Sequence, residues 1–244
     1  MSRTKAGILA GCDYVTARTI ANNTWEWVDA QGVKRIRLHR TDIITYLQGG
    51  SVILNSGRYR TTTTKARLNA AGFDVRTERG VWYVIVFGVA TRYRFEDGMC
   101  IDVAGKVTGA EEYTGFTKRD KNNYKHIKEY VAGFMAELEA GEVNAPGAGD
   151  CWYCHLRSAD GVPMGEQYQD ISHIQDHIRI KYYVPSLLFR ACEVFGVSRY
   201  ARDVLGFWTG QHNSPPHVGM LDVARRQVSK ALSRYLKRQL GYAV

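Results

Sequence analysis

Two short motifs in the C-terminal half constrain the fold of this chain most strongly. Cys151 and Cys154 form a CxxC motif, and His173 and His177, which begin after an eighteen-residue spacer, form an HxxxH pair. Two thiolates and two imidazoles are a ligand set for tetrahedral zinc. A turn can direct both cysteines at one point, and residues four apart on a helix share a face. The motifs therefore predict a structural zinc site with no open position for catalysis.

Other interpretations of these motifs stay open. His155 directly follows the second cysteine and is an alternative ligand in place of one helix histidine. A CxxC motif also occurs in thioredoxin-like redox sites, although no βαβ pattern surrounds this one. An HxxxH pair is also compatible with a half-buried helix face that binds no metal. Zinc is the preferred interpretation.

Composition and hydrophobic patterns predict a globular α+β protein. The chain has 244 residues, 45% of them hydrophobic and 23% charged, which is enough to bury a sizeable core. Its first hundred residues alternate short strands and turns, with hairpins around 30–32 and 49–50 and one short helix at 61–71. The segment 80–87 is apolar throughout and is predicted to be the central strand.

The second half of the chain is predicted to be helical. Apolar residues at helical spacing predict a helix at 121–138 and four more at 171–180, 184–195, 198–208 and 218–240. A segment rich in Gly, Ala and Pro at 140–149 is the best linker. We therefore predict three parts: a basic β-rich domain at 1–110, a connector helix and linker at 111–149, and a zinc-stabilised helical domain at 150–244.

The charge of the chain predicts a polyanionic partner. Its formal net charge is +9 at pH 7, and nucleic acid is the commonest partner of such proteins. Residues 1–110 carry 16 basic and 9 acidic side chains, 111–150 carry 5 and 8, and 151–244 carry 12 and 7. The positive charge is therefore concentrated in the two predicted domains.

The last predicted helix carries a stripe of cations. Its members are Arg226, Lys230, Arg234 and Arg238, which recur every four residues, with Arg225 and Lys237 beside them. Like charges four apart on a helix repel each other, so an anionic partner would relieve the repulsion. We predict that this stripe binds phosphates, and the alternative is a solvated helix face with no partner.

A second basic segment lies in the N-terminal part. Here Arg58, Arg60, Lys65 and Arg67 interleave with Tyr59 and four consecutive threonines. Hydroxyls, guanidinium groups and helix N-terminal amides all bind phosphate, so we predict that this segment assists the stripe. The alternative is that the threonines only cap a helix and begin its first turn.

Two blocks of the sequence resemble proteins encoded by tailed bacteriophages. The first block is Leu38-His39-x-Thr41-Asp42-Ile43 together with Leu54-Asn55-Ser56-Gly57-x-Tyr59-Arg60-Thr61-x-Thr63-Thr64-Lys65-x-Arg67-Leu68-Asn69. The second is Asp150-Cys-Trp-Tyr-Cys154 with Tyr182-Tyr-Val-Pro-Ser-Leu-Leu188. Those proteins are largely uncharacterised, so the resemblance implies a phage origin and no activity. The chain departs from their pattern at Arg58, where they usually have a second glycine.

The sequence gives little evidence for an enzyme. It contains no P-loop, GxSxG, HExxH or dinucleotide-binding motif. His212, Asn213 and His217 have the composition of some metal-dependent nuclease sites. Those sites need a strand, a turn and a helix around the histidines, which Pro215-Pro216 opposes. We therefore do not predict catalysis.

Together these features predict a phage-encoded nucleic-acid-binding protein. Five cysteines without disulfide spacing and no signal segment favour the cytoplasm, here that of the host cell. A membrane location is not predicted, because the apolar stretch 81–90 is far shorter than the ~20 residues of a spanning helix. The second hypothesis is a host-takeover or inhibitor protein whose stripe binds an acidic host protein, and the third is a metal-assisted nuclease. The sequence does not distinguish DNA from RNA.

Overall fold

The computed structural model describes residues 9, 11–86, 88, 90–147, 149–159, 161–167 and 171–244. The described chain is mixed, with a β-rich N-terminal part and a helical C-terminal part, which confirms the predicted α+β class. It divides into two compact units. The N-terminal unit runs to Phe116 and also contains Gly241–Val244, and the helical unit comprises Thr117–Leu240.

The N-terminal unit contains two antiparallel sheets. The larger sheet has the order β1-β2-β3-β4-β5-β9-β10, formed by β1 (Tyr14–Ala21), β2 (Thr24–Asp29), β3 (Lys34–Leu38), β4 (Thr41–Tyr46), β5 (Val52–Leu54), β9 (Met99–Ile101) and β10 (Val107–Thr108). The smaller sheet has the order β6-β7-β8, formed by β6 (Asp74–Glu78), β7 (Val81–Ile85) and β8 (Arg92–Arg94). Helix α1 (Thr62–Ala70) lies between β5 and β6 in the chain.

Both predicted hairpins are confirmed. Strand β2 pairs with β3, and β4 pairs with β5. In the first turn the Asp29 carboxylate accepts hydrogen bonds from the amides of Gln31 (3.0 Å) and Val33 (2.9 Å), and Gly32 adopts a φ of 76°. These bonds satisfy amides that have no ladder partner in the turn, as Asp often does.

The strand prediction needs correction at three strands. Strand β10 has only two residues and was not predicted. Strand β1 was not predicted, because most of its residues are exposed and its sequence lacks the alternation that marks a half-buried strand. The apolar strand β7 is central, but only in the three-stranded sheet, where it pairs with β6 and β8. Phe87, the end of the predicted strand, lies outside the described residues.

A continuous apolar cluster forms the core of the N-terminal unit. Its fully buried members include Ile43, Leu68, Trp82 and Phe95, with the Trp82 and Phe95 rings edge to face at 5.5 Å. Leu68 brings α1 onto this core. The last residues of the chain belong to the same unit, because the Ala243 amide donates to the Gly80 carbonyl at 2.7 Å.

The helical unit is built from seven described helices. They are α2 (Lys118–Glu139), α3 (Trp152–His155), α4 (Met164–Gln167), α5 (Ile171–Ile180), α6 (Pro185–Phe195), α7 (Arg199–Trp208) and α8 (Val218–Gln239). The five long helices agree with the predicted ones to within a few residues. Helix α8 is the centre of the unit, since α2, α5, α6 and α7 all pack against it.

The predicted connector is part of the helical unit. Helix α2 begins at a capping box in which Thr117 and Asp120 bond to each other's amides. Its buried residues, such as Tyr130 and Phe134, form an apolar face, and the helix packs against α8. The division between the two compact units falls at 116/117. None of the described helices combines the length and apolar character needed to cross a membrane.

Candidate metal centre and basic groove

The CxxC motif forms a tight turn at the start of α3. The amides of Cys154 and His155 both donate to the Cys151 carbonyl, at 3.1 and 2.8 Å. This turn brings the two cysteines together, with Cys154 buried and Cys151 partly buried. The chain then folds back on itself, because Arg157 and Pro163 form an antiparallel bridge.

The HxxxH pair lies on one face of α5. His173 and His177 are one helical turn apart, and their ring centroids are 4.3 Å apart. The two Nε2 atoms are separated by 3.0 Å, so both rings point towards one place. Tyr153 packs edge to face on the ring of His173, and Tyr182 packs in the same way on the ring of His177.

All four predicted ligand atoms converge. The Nε2 atom of His173 lies 3.4 Å from the Cys151 sulfur and 3.3 Å from the Cys154 sulfur. The Cys154 sulfur is 3.6 Å from Nε2 of His177, and all the ligand atoms lie within 4.8 Å of one another. A tetrahedral ion with bonds of about 2.3 Å to sulfur and about 2.0 Å to nitrogen requires sulfur–nitrogen separations of about 3.5 Å. This cluster could therefore hold a metal ion.

Burial shifts the pKa values of two residues of the cluster, His177 and Cys154. It lowers the pKa of His177 to about 4, with the charge of His173 adding to the shift. The neutral imidazole, which is the form that binds metals, is therefore the dominant form of His177 at neutral pH. Burial also raises the pKa of the Cys154 thiol, and the nearby Cys151 raises it further. A bound cation would favour the thiolate and oppose this effect of burial.

Asp150 connects the cysteine turn to helix α6. One carboxylate oxygen accepts from the Cys151 amide and the other from the Ser186 amide, both at 2.7 Å. The second bond places a negative charge at the N-terminus of α6, where it is stabilising. His155 also turns towards this helix, because its Nδ1 lies 3.0 Å from the Ser186 hydroxyl. His155 is therefore not a member of the Cys/His cluster. The alternative that it replaces one of the two helix histidines is not supported.

A buried ionic cluster lies beside this site. The Glu166 carboxylate, with a side chain 7% exposed, accepts from Arg190 (2.9 Å), Tyr235 (2.6 Å) and Arg238 (3.1 Å). Burial raises the pKa of Glu166, but its bonds to the arginines and the tyrosine outweigh burial and lower the pKa below the ordinary value. Glu166 therefore stays ionised and links α4 to α6 and α8.

The predicted stripe on α8 does not form one continuous surface. Arg226 and Lys230 are exposed, but the guanidinium of Arg234 lies 4.5 Å over the Phe195 ring. Arg238 is 4% exposed and forms an ion pair with Glu166, so a ligand at the surface cannot reach its guanidinium group. The stripe turns inward because the C-terminal part of α8 is the more deeply buried part, with six of its residues buried: Ala231, Leu232, Tyr235, Leu236, Arg238 and Gln239.

The structure instead contains a basic groove between α2 and α8, with a volume of about 730 Å³. Its floor is apolar and includes Ile127, Val131 and Met135. Five cations line it: Lys125, Lys128, Arg225, Lys230 and Lys237. The α8 side repeats every four residues as Arg225, Ser229, Ser233 and Lys237, which is the predicted stripe shifted by one residue.

The sequence prediction missed the contribution of α2 to this groove. Lys125 and Lys128 are three residues apart on that helix, a spacing that places both on one face. Within the groove, the Lys237 ammonium lies 5.2 Å over the Tyr124 ring, and Arg225 pairs with Glu139 at 3.1 Å. The groove therefore joins three members of the predicted set to two lysines outside it.

The basic residues of the N-terminal segment have partners in their own unit. Arg60 is 4% exposed and pairs with Glu96 at 3.1 Å. Lys65 donates to the Thr77 hydroxyl (3.0 Å) and Arg67 to the Thr24 hydroxyl (2.9 Å). Arg58 has a φ of 64°, in the left-handed region that favours glycine. Three of the four side chains, Arg60, Lys65 and Arg67, therefore have hydrogen-bond or ion-pair partners within the N-terminal unit.

The histidines of the proposed nuclease loop are not part of a metal cluster. His217 is the N-cap residue of α8, and the His212 amide donates to the Gly206 carbonyl at 3.1 Å. In the described part of the chain, Cys151, Cys154, His173 and His177 form the one group of three or more side chains that could share an ion.

Comparison with known proteins identified no relative, since no protein-family model, curated protein or solved structure matches this chain.

Proposed function

We propose that the cluster of Cys151, Cys154, His173 and His177 holds one zinc ion. Sulfur and imidazole ligands together favour zinc among the common metals, and the measured separations fit tetrahedral coordination. The four side chains fill the four positions of such an ion, so the metal is structural. It ties the cysteine turn to α5, and Asp150 extends this connection to α6.

We propose further that the helical unit binds nucleic acid in the basic groove between α2 and α8. The observation that carries this proposal is the five cations on both walls of one groove. Phosphate groups release condensed counterions when such cations bind them, which drives association. The hydroxyl of Ser233 lies among the cations and adds a hydrogen-bond donor for phosphate oxygens, whereas the Ser229 hydroxyl donates to the Arg226 carbonyl at 3.3 Å. Because these contacts carry no base information, we expect binding with little sequence specificity.

The experiment that tests this proposal compares two variants that lose the same charge. The groove variant replaces Lys128, Lys230 and Lys237 with Gln. The control variant replaces Arg199, Arg202 and Arg226 with Gln; these residues are exposed on α7 and α8 and do not line the groove. Affinity for single- and double-stranded DNA and RNA is measured by fluorescence anisotropy at several salt concentrations.

We expect only the groove variant to lose affinity. Each lost phosphate contact should reduce the slope of log affinity against log salt by about one, so the slope should fall by about three. Equal losses in both variants would reject the groove as the binding surface. If the wild type binds no nucleic acid at low salt, the groove would instead fit an acidic protein surface, as the host-takeover hypothesis requires.

The same samples test the nuclease hypothesis. A zinc ion with four protein ligands has no exchangeable water from which to generate a hydroxide. We therefore expect DNA and RNA to remain intact with Mg²⁺, Mn²⁺ or Zn²⁺. Cleavage that disappears in His212→Ala or His217→Ala would contradict this expectation.

A further inference from the structure

A second cavity, of about 450 Å³, lies in the N-terminal unit where the β3–β4 turn meets the start of α1. Its walls come from two segments that are distant in sequence, 38–43 and 56–64. Gly57 allows these segments to approach closely. Its φ is 57°, and a Cβ atom there would lie 2.7 Å from the Thr41 hydroxyl. Both the conformation and the close approach therefore favour glycine at this position.

The lining of this cavity suits an anion. Six of its residues carry hydroxyl groups: Thr41, Ser56, Tyr59, Thr61, Thr63 and Thr64. His39 and Arg40 add basic side chains, and both are exposed. Among the described residues that line the cavity there is no carboxylate. Hydroxyl and guanidinium groups without a competing acid are typical of phosphate sites.

The N-terminus of α1 supplies backbone donors at the same place. The first hydrogen bond within this helix runs from the Lys65 amide to the Thr61 carbonyl, at 3.0 Å. The Thr61 hydroxyl accepts a hydrogen bond from the Thr64 amide. The amides of Thr62 and Thr63 come before the first hydrogen bond of the helix, so no carbonyl within the helix accepts from them. The first turn carries no acidic residue. The positive end of the helix dipole is therefore available to an anion.

Ser56 provides an independent observation. The residue lies in the wall of the cavity and is 2% exposed. Its hydroxyl has no hydrogen-bond partner in the described part of the chain. Buried polar groups in proteins are nearly always paired, and one left without a partner beside a cavity indicates a group that a ligand can satisfy. The unpaired hydroxyl of Ser56 is therefore a second observation, independent of the helix N-terminus, that favours a ligand at this cavity.

We propose that this cavity binds a phosphate monoester attached to a nucleoside. The phosphate would receive hydrogen bonds from the amides of Thr62 and Thr63 and from the side chains of Ser56 and Arg40. The volume exceeds that of a phosphate alone and falls in the range of about 300–1,000 Å³ of small-molecule sites. The ring of Tyr59, 43% exposed, offers a surface on which a base can stack. A free mononucleotide and the 5′-phosphate end of a strand share this chemistry.

The proposal is tested by NMR titration of the full chain labelled with nitrogen-15. The probes are AMP, adenosine, and one oligonucleotide with either a 5′-phosphate or a 5′-hydroxyl. We expect AMP to shift the amide signals of Thr62 and Thr63, and adenosine to leave them in place. A stronger response to the 5′-phosphorylated strand than to AMP would identify the strand end as the ligand, and the reverse would identify the mononucleotide. Absence of these shifts with AMP, or equal shifts with adenosine, would overturn the proposal.

Two variants locate the site. Arg40→Gln should weaken AMP binding about tenfold, and Ser56→Ala about fivefold, since each removes a donor to a charged group. Arg76→Gln, which removes an exposed arginine of the same unit paired with Asp74, is the control and should bind AMP as the wild type does. Ser56→Ala should not lower the melting temperature, because the lost hydroxyl has no protein partner. Unchanged AMP affinity in both Arg40→Gln and Ser56→Ala would reject the site.

This site is separate from the groove, and the two proposals fail independently. The groove variant described above should keep its AMP affinity, and Arg40→Gln should keep the wild-type salt dependence for strands without a 5′-phosphate. Loss of AMP binding in the groove variant would place the nucleotide in the groove and overturn the assignment to the N-terminal unit.

Discussion

Both units bury charged side chains, but only in the helical unit are both members of such a described ion pair, Glu166 and Arg238, almost fully buried. In the N-terminal unit the buried Arg60 pairs with Glu96, whose side chain is 38% exposed. In the helical unit both partners are buried, since the side chains of Glu166 and Arg238 are 7% and 5% exposed. The helical unit also buries Cys154 and His177. An apolar core tolerates the loss of one contact better than a buried charge tolerates the loss of its partner.

The largest effect that we expect to separate the units is loss of the proposed zinc ion. Cys154→Ser, or a chelator, should unfold the segment around α5 and α6, because structural zinc sites contribute about 10–16 kcal/mol in small zinc domains. The strands of the N-terminal unit should keep their protection. Hydrogen exchange read by mass spectrometry measures both units in one sample.

The matched control is Cys100→Ser, which changes a partly buried cysteine in the N-terminal unit. It should leave α5 protected. Elemental analysis should find about one zinc per chain in the wild type and in this control. A metal-free wild type with a fully protected α5 would contradict the zinc site.

A smaller effect is expected from the buried ion cluster. Glu166→Gln removes the charge that Arg190 and Arg238 share, which should lower the free energy of unfolding of the helical unit by about 3–5 kcal/mol. Asp74→Asn, which breaks the exposed pair with Arg76, should cost less than about 1 kcal/mol. Chemical denaturation of the two variants gives both values. Similar losses in the two would remove the distinction between the units.

Acidification should gradually lower the stability of the helical unit. The pKa of His177 is lowered to about 4 in the folded chain, so the unfolded chain binds more protons between pH 6.5 and 4. Stability of the helical unit is therefore highest above pH 6.5 and falls as pH decreases through this window. Protons also compete with a metal for the same ligands, which acts in the same direction.

The lowered pKa of Glu166 extends this loss of stability to lower pH. The ionised carboxylate stabilises the fold above the pKa that Glu166 has in the unfolded chain, and this stabilisation disappears as the carboxylate is protonated. Hydrogen exchange across this pH range should show α5 and α8 opening before β7. If β7 opened first, the contrast between the units would be wrong.

Local patterns in the sequence were sufficient for most elements and for the cluster of metal-ligating residues. The hairpins, α1 and the long helices were predictable because hydrophobic spacing and turn residues act over a few positions. The convergence of the cysteines and histidines was predictable because their chemistry requires a common centre. Strand β1 was missed because its exposed residues carry no periodic signal.

The surfaces could not be predicted in the same way. Arg226 and Arg238 belong to one regular stripe in the sequence, yet one is exposed and the other is buried against Glu166. The apolar spacing within α8 marks its buried side, but which of the basic residues beside that side become covered depends on packing with α2, α6 and α7. The basic groove exists only because two distant helices bring their lysines together.

The sequence by itself determined most elements and the Cys/His cluster, since both depend on spacings of two to four residues and on side-chain chemistry. Only the tertiary structure decided that α2 belongs to the helical unit, that His155 turns to Ser186, and that Gly57 brings its loop to Thr41. These outcomes depend on contacts between segments far apart in the chain. Such contacts form when whole faces are buried together, and a short window of sequence carries too little information to specify them.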